Sequence, residues 1–338
     1  MTPAGNPERP ARRRSPVLAA GAALLLACCG LAATGATGAS AAPAPVSQPV
    51  NAPSHRGVEP RAANLCTADA AASGRRVRGA LPRAEVHRRL DAQAERHRTA
   101  RGLPGKGPIG APGDDSRVKV DLHPAQGTAF KEFDGSDGAC ATQSVSRDVE
   151  VTEGSTTIYT PTLYPAGGSC VELVTVYTQG RATVSAWDWC RSVTFEAAVP
   201  IDDAFLGTYT DGSTAAYTGR VVRTDAGTGT WTAALYNHTT GTWDELFTQS
   251  GQTQGRTDGW DIYELYSTTD PSGTAYSCHA MAGLTFESHD ISVRVDGGWA
   301  AASEQNSDTH YDQPDSAFHC PDRTYQMVSE YDHWKAVG

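Results

Sequence analysis

The stretch VELVTVYTQGRATVSAWDWC, residues 171–190, is the clearest sign of the fold of this chain. Valine, threonine, tyrosine and tryptophan dominate both halves, and Gln179-Gly180 between them is typical of a turn. Similar short runs recur through residues 120–338, and YNHTTGTW at 236–243 predicts a hairpin in which Gly241 is available for a positive φ. No convincing helix interrupts this region. It therefore predicts one large antiparallel β-sandwich or jelly roll.

Residues 1–41 resemble an export signal. Arg12–Arg14 precede an apolar run over 17–31, and small residues at 39–41 suit a cleavage site. The apolar run is too short for a stable membrane span. The sequence thus predicts a secreted, extracellular protein. A second interpretation is a bacterial lipoprotein, because LLAC ending at Cys28 loosely resembles a lipidation site.

Residues 42–119 form a separate leader. It is rich in proline and alanine at first, then reads as a short helix over 82–101, started by Pro82 and stopped by Gly102. The apolar stripe of this helix is thin, so it needs a partner surface; its members are Val86, Leu90 and Ala94.

Charge divides the leader from the body. The leader carries 14 Lys/Arg and 7 Asp/Glu, whereas residues 120–338 carry 10 and 30. Opposite charges attract the two parts to each other, and nucleic acid is excluded as a partner of the acidic body. The leader is either an inhibitory propeptide, released as carboxylates protonate, or a permanently attached helix.

Six cysteines remain once Cys28 and Cys29 leave with the signal segment. An even number in an exported chain predicts three disulfides. Positions near strand ends favour the pairs Cys170–Cys190 and Cys278–Cys320, which leaves Cys66 with Cys140. The last pair ties the leader to the body.

A carboxylate on an apolar row marks the candidate site. In TDGWDIYELYS, residues 257–267, strand alternation places Glu264 on one face with Trp260, Ile262 and Tyr266. An ionised carboxylate there costs free energy unless it is paired or has a task. A structural pairing with Arg220, with Arg223 or with a Tyr hydroxyl is the simpler explanation.

Two other strands carry polar groups among apolar ones. Gln179 shares a face with Leu173 and Tyr177, Asp188 shares one with Val184 and Ala186, and Glu172 points the other way. A carboxylate can deprotonate a water, and an amide can stabilise the developing oxyanion. If the strands are neighbours, such a pair predicts a hydrolase.

The run GTWTAALYNHTTGTWDELFTQSGQTQGRTDGWDIYELY, residues 229–266, resembles the C-terminal pattern of neprosin-type glutamic peptidases and, more loosely, of the eqolisin glutamic peptidases. In both comparisons the catalytic Glu falls on Glu264. CVELVTVYTQGRATVSAWDW, residues 170–189, resembles the eqolisin stretch around the catalytic Gln, which carries that role to Gln179; Asp188 and Glu172 are the alternatives. The resemblance implies a secreted, concanavalin-like β-sandwich with a leader and a polypeptide substrate.

A binding protein is the other function class. Aromatic side chains are most often core, but they can form a flat platform for the sugar rings of a glycan; the candidates are Trp187, Trp189, Trp260 and Tyr266. A Ser or Cys nucleophile motif is absent, and no cofactor is indicated. Residues 307–320 hold Asp308, His310, Asp312, Asp315 and His319, but their spacing fits no standard metal loop, so no metal site is predicted.

Overall fold

The structure is a computed structural model that describes residues 64–68, 70–99, 121–253, 255–309 and 314–338. The predicted export signal lies outside these residues. The described part of the chain contains strands β1–β17, helices α1–α3 and one 3-10 helix at Asp315–Phe318. The helices are α1 (Arg83–Thr99), α2 (Asp203–Tyr209) and α3 (Tyr276–Met281). The strands are β1 (Ala72–Arg76), β2 (Asp121–Leu122), β3 (Ala125–Phe130), β4 (Ser136–Ser144), β5 (Thr157–Tyr164), β6 (Val171–Thr178), β7 (Arg181–Asp188), β8 (Thr194–Pro200), β9 (Ala216–Asp225), β10 (Thr230–Asn237), β11 (Thr242–Ser250), β12 (Gly259–Thr268), β13 (Thr285–Val295), β14 (Gly298–Ala301), β15 (Ser307–Asp308), β16 (Thr324–Ser329) and β17 (His333–Val337).

The strands form two sheets. Sheet A has the order β1-β11-β10-β9-β4-β13-β17-β16, with β14 also paired to β13. Sheet B has the order β15-β3-β12-β5-β6-β7-β8, with β2 also paired to β12. Neighbouring strands in the described residues are antiparallel except for β1, which runs parallel to β11. The predicted β-sandwich is confirmed.

Each strand of sheet B has an inner face toward sheet A and an outer face away from it. Tyr263 and Leu265 of β12 join residues of sheet A in the main apolar core. Trp260, Ile262 and Tyr266 belong to a second apolar cluster on the outer face. This is the alternation predicted from the sequence. It places Glu264, which shares their parity, on the outer face as well.

The predicted turns and disulfides are confirmed. Gly180 and Gly241 adopt φ of 68° and 67° in the turns after β6 and β10, a conformation that favours glycine. The three disulfides join Cys66 to Cys140, Cys170 to Cys190 and Cys278 to Cys320.

The expectation of a body without helices was wrong in detail, because α2 and α3 interrupt it. Both are short, and α2 is capped by Asp202, whose side chain accepts a hydrogen bond from the Phe205 amide. The last segment folds into a hairpin of β16 and β17. Neither feature affects the sandwich.

The leader contributes β1 and α1. Helix α1 begins one residue after the predicted start at Pro82, ends at Thr99 where residue 101 was expected, and packs against β8. Its apolar stripe of Val86, Leu90 and Ala94 is almost fully buried in the outer cluster of sheet B. The partner surface that this helix requires is therefore the outer face of sheet B.

Candidate active site

Glu264 lies near the middle of the outer face of sheet B, opposite Ala125 on β3 and Tyr159 on β5. Its side chain is 1% exposed, and its Oε1 lies 2.7 Å from Nε2 of His123. The His123 ring stacks on Tyr266 with 3.9 Å between ring centroids. The buried Glu264 carboxylate on this apolar row is thus paired with the imidazole of His123.

Pairing of the strands puts His123 there. It lies between β2 and β3, and both of these strands pair with β12, on either side of the Glu264 position. The amide of Leu265 also donates a hydrogen bond to the Pro124 carbonyl at 3.3 Å. The segment that carries His123 is therefore held beside β12, next to the position of Glu264.

The pair is able to move a proton. A carboxylate at hydrogen-bond distance from an imidazole can exchange a proton with it, and the imidazole also fixes the orientation of the carboxylate. Among the described residues, Nδ1 of His123 has no hydrogen-bond partner although it is buried. The pairings with Arg220 or Arg223 that the sequence suggested are not formed, since these side chains lie over Trp243 and Trp231 of sheet A.

A second carboxylate lies on the same outer face. Glu172 of β6 is fully buried and accepts hydrogen bonds from Nε1 of Trp260 at 3.0 Å, Nε1 of Trp189 at 3.1 Å and Oγ1 of Thr162 at 2.5 Å. Charge-assisted hydrogen bonds of this kind offset the desolvation of a buried carboxylate. Glu172 is level with Trp260, four residues along β12 from Glu264, a distance of about 13 Å along the sheet.

The structure does not bring Gln179 to Glu264. Gln179 is an exposed turn residue whose amide donates to the Thr152 carbonyl at 3.2 Å. The strand register makes Val176, not Gln179, level with Glu264. About 10 Å along the strands and about 10 Å across them separate the two positions. The turn geometry at Gln179-Gly180 governs this placement.

Asp188 holds a turn. Its carboxylate oxygens accept hydrogen bonds from the amides of Cys190, Arg191 and Ser192, from the Ser192 hydroxyl and from the Gln249 amide. This set orders the connection between β7 and β8 and reaches β11 of sheet A. Asp188 therefore lies on the inner side of the sheet, away from Glu264.

The four aromatic candidates for glycan binding are buried. Trp187, Trp189, Trp260 and Tyr266 are all less than a tenth exposed and belong to the cluster that includes the stripe of α1. The structure therefore does not present them as an exposed platform, because aromatic area of this size is buried wherever a partner surface is available.

Polar contacts fasten α1 beside this cluster. Arg83 donates to Oε1 of Glu196 on β8 at 2.7 Å, and Nε2 of His87 lies 3.4 Å from the same oxygen. Arg181 of β7 donates to the carbonyl of Arg89 at 2.6 Å. Glu196 is 7% exposed, so a buried carboxylate lies against the first turns of α1.

Sequence reasoning missed His123 and Glu196. His123 is in VDLHPAQ, which has no strand-like alternation, and Glu196 follows Phe195 in a strand whose register shifts against β7. Of the acidic segment near the end, His310 and Asp312 lie outside the described residues. Asp315 accepts hydrogen bonds from Gln126 and Arg323, and within the described ranges no group of three or more potential metal ligands occurs.

The comparisons with known proteins give only a partial likeness. No family model matches this chain, and no curated protein matches it in sequence. A scytalido-glutamic peptidase bound to a peptide-based transition state analogue covers 65% of this chain and 99% of its own, at 12% identity and a TM-score of 0.36. SCP-B, a member of the eqolisin family of peptidases in complex with the tripeptide Ala-Ile-His, gives the same coverage and identity at 0.37. A second scytalido-glutamic peptidase structure, with a transition state analogue inhibitor, reaches 13% and 0.38.

At these identities the likeness concerns the fold alone, and none of the residue roles proposed below rests on these three structures. Three disulfides are compatible with an extracellular setting. Across the described ranges, no helix has the length and apolar character needed to span a bilayer.

Proposed function

We propose that this protein is an exported hydrolase that cleaves polypeptides in acid, with Glu264 as the general base and then the general acid. The observation that carries the proposal is the buried Glu264–His123 pair on the outer face of sheet B. A buried carboxylate on an apolar row costs free energy, and a catalytic task is a reason for a chain to retain it. The resemblance of residues 229–266 to glutamic peptidases supports the same residue.

The chemistry needs no cofactor. Glu264 removes a proton from a water molecule as the water oxygen attacks the carbonyl carbon of a peptide bond. The resulting carboxylic acid then gives that proton to the leaving nitrogen, so that an acid and an amine are formed and Glu264 regains its charge. His123 is a positioning residue that holds Oε1 of Glu264 and does not itself touch the substrate.

Under this proposal the leader controls access to the outer face of sheet B. A carboxylate that is 1% exposed is not reached by a substrate until a covering segment moves. Helix α1 lies on the same face, against β8 and four strands from β12, and its Arg83 and His87 contact the buried Glu196. Loss of these ionic contacts would release the helix. The leader therefore acts as a propeptide.

The test is cleavage of casein by the purified exported protein after acidification. We expect the Glu264→Gln variant to lose activity by at least about a hundredfold, because the amide cannot accept the proton from water. The matched control is Glu287→Gln, which changes another Glu–His pair, with His333 on sheet A, and should leave activity unchanged. Equal activity of wild type and Glu264→Gln would remove the assignment.

His123 has a separate readout. The His123→Gln variant keeps a hydrogen-bond donor but no titrating ring, so we expect a changed pH profile of kcat/KM with a smaller loss than that of Glu264→Gln. Identical pH profiles would show that His123 is structural.

A non-catalytic extracellular protein is the second candidate. The pairing of β1 with β11 in sheet A favours this candidate, because a leader that contributes a strand to the sheet is more easily understood as permanent than as removable. Under this alternative no acid-dependent cleavage is observed, and a glycan array distinguishes a sugar-binding protein from other interaction proteins.

A further inference from the structure

Three aromatic side chains on the outer face surround one guanidinium group. The Cζ atom of Arg256 lies 4.6 Å from the ring centroid of Trp189, 4.7 Å from that of Trp260 and 5.9 Å from that of Tyr164. Cations are attracted to the faces of aromatic rings, and most strongly where water is excluded. We call these three rings, with Glu172 below them, the aromatic cage.

The floor of the cage is negatively charged. Two of the three rings donate their indole N–H groups to the carboxylate of Glu172, which is fully buried. These hydrogen bonds fix the rings and place a buried anion close to the position of the guanidinium. Rings and carboxylate together select a cation, so the site suits an arginine or lysine side chain and disfavours an apolar or acidic one.

Arg256 comes from a loop and not from the sheet. The connection between β11 and β12 carries it, with Gly251 at φ of 140° and Gly255 at φ of 90°. Its Nη2 donates to Asp258 at 3.0 Å, within the same loop, and Asp258 is exposed. Because the ion-pair partner belongs to the loop, Arg256 can leave the cage without breaking that pair.

The aromatic cage and the loop that carries Arg256 together suit a ligand-binding role. We propose that the aromatic cage is a subsite for a cationic side chain of the substrate, and that Arg256 fills it in the free protein until the substrate displaces it. This inference rests on the proposed function, which supplies the polypeptide substrate.

Strand geometry fixes where the basic residue lies relative to the scissile bond. Trp260 and Glu264 are four residues apart on one face of β12, which is about 13 Å. An extended substrate along β12 spans that distance with about four residues. We therefore expect cleavage about four positions from an arginine or lysine.

The experiment is a binding titration that does not require activity. The Arg256→Ala and Arg256→Gln variants are titrated with arginine amide, lysine amide and norleucine amide, all used as N-acetyl derivatives so that the norleucine compound is uncharged, with tryptophan fluorescence as the readout. We expect arginine amide to bind the variants at least about tenfold more tightly than it binds the wild type, because the variants lack the Arg256 side chain that competes for the cage. Norleucine amide should not bind, and lysine amide reports whether an ammonium group also fits.

Two matched changes make the result specific to the cage. Glu172→Gln combined with Arg256→Ala should abolish binding, because the anionic floor is lost. Arg294→Ala removes an arginine over Trp299 on sheet A and should create no site.

Absence of binding by Arg256→Ala or Arg256→Gln, or equal binding of norleucine amide, would overturn the proposal. Failure of both variants to fold even in the presence of arginine amide would also overturn it, because a cage that accepts a free cation is restored by one. Binding without casein cleavage would leave the cage standing and count only against the hydrolase.

Discussion

The carboxyl group of Asp261 lies between the two sheets, on the opposite face of β12 from Glu264. It accepts hydrogen bonds from Nε2 of Gln143 at 2.8 Å and from Nε1 of Trp334 at 2.7 Å, both in sheet A. Burial raises the pKa of Asp261 from 3.8 to about 6, because the charged form is desolvated. This residue therefore links the two sheets and makes the stability of the sandwich sensitive to pH.

The sign of that dependence follows from proton binding. Between pH 4 and 6 the folded protein keeps the proton on Asp261 while the unfolded chain releases it, so the free energy of unfolding falls as the pH rises. The raised pKa corresponds to about 3 kcal/mol lost over this range. We expect Asp261→Asn to remove most of the loss in urea unfolding measured at several pH values.

Asp148→Asn, which changes an exposed carboxylate, is the control and should retain the full dependence. An unchanged slope in Asp261→Asn would show that another group governs this range. The result bears on function, because a sandwich that is most stable in acid suits an enzyme that works there.

At the scale of single elements, helix α1 is held by few groups. Three side chains form its apolar stripe, and Glu196 provides its main ionic contact with the body. Segments with few buried contacts open at lower free energy than the sheets beneath them. We therefore treat α1 as a locally releasable element.

We expect Leu90→Asp to release α1 and leave both sheets folded, because a buried carboxylate in the stripe is desolvated without a partner. Hydrogen exchange should increase sharply in residues 83–95 and remain slow in β6 and β12. Ala92→Asp, at an exposed position of the same helix, should leave exchange unchanged. Equal exchange in the two variants, or unfolding of the whole sandwich in Leu90→Asp, would contradict a separable helix.

The elements differ in how far their sequences predict them. Helix α1 and the β6–β7 hairpin are predictable, because a proline start, a glycine stop and alternating Val, Thr and Trp are local features. Strand β4 is not, since SDGACATQS lacks Val, Ile and aromatic residues although it lies between β9 and β13 in sheet A. Its small residues are buried by tertiary packing alone.

The residues of the candidate site also differ in how far the sequence predicts their positions. Alternation alone places Glu264 on an apolar face. His123 is 141 positions away in sequence, and only the pairing of β2 and β3 with β12 brings it there. The expected approach of Gln179 failed because register and turn geometry, which are tertiary properties, decide which residues are level across a sheet.

At the scale of the whole molecule, the leader connects the two sheets. Strand β1 pairs with β11 at the edge of sheet A, and the Val77 amide donates to the Glu245 carbonyl at 2.8 Å. The Leu81 amide then donates to the Ala198 carbonyl of β8 in sheet B at 2.8 Å. Cys66 is bonded to Cys140 in the middle of sheet A. The leader thus has a firmly attached first part and a more weakly held helix.

This division predicts a two-chain mature protein. If a specific protease site is inserted between residues 100 and 119 and cut, the leader should stay attached in acid through the Cys66–Cys140 disulfide while α1 leaves the outer face. The Cys66–Cys140 disulfide joins residues on the two sides of the cut, so cutting the linker leaves it as a covalent tether. Denaturing gels should show one species without reductant and two with it. In the Cys66→Ser/Cys140→Ser variant, the cut leader should run separately even without reductant. Slow hydrogen exchange of α1 in the cut protein in acid would show that α1 does not leave the face, and the propeptide role would fail with it.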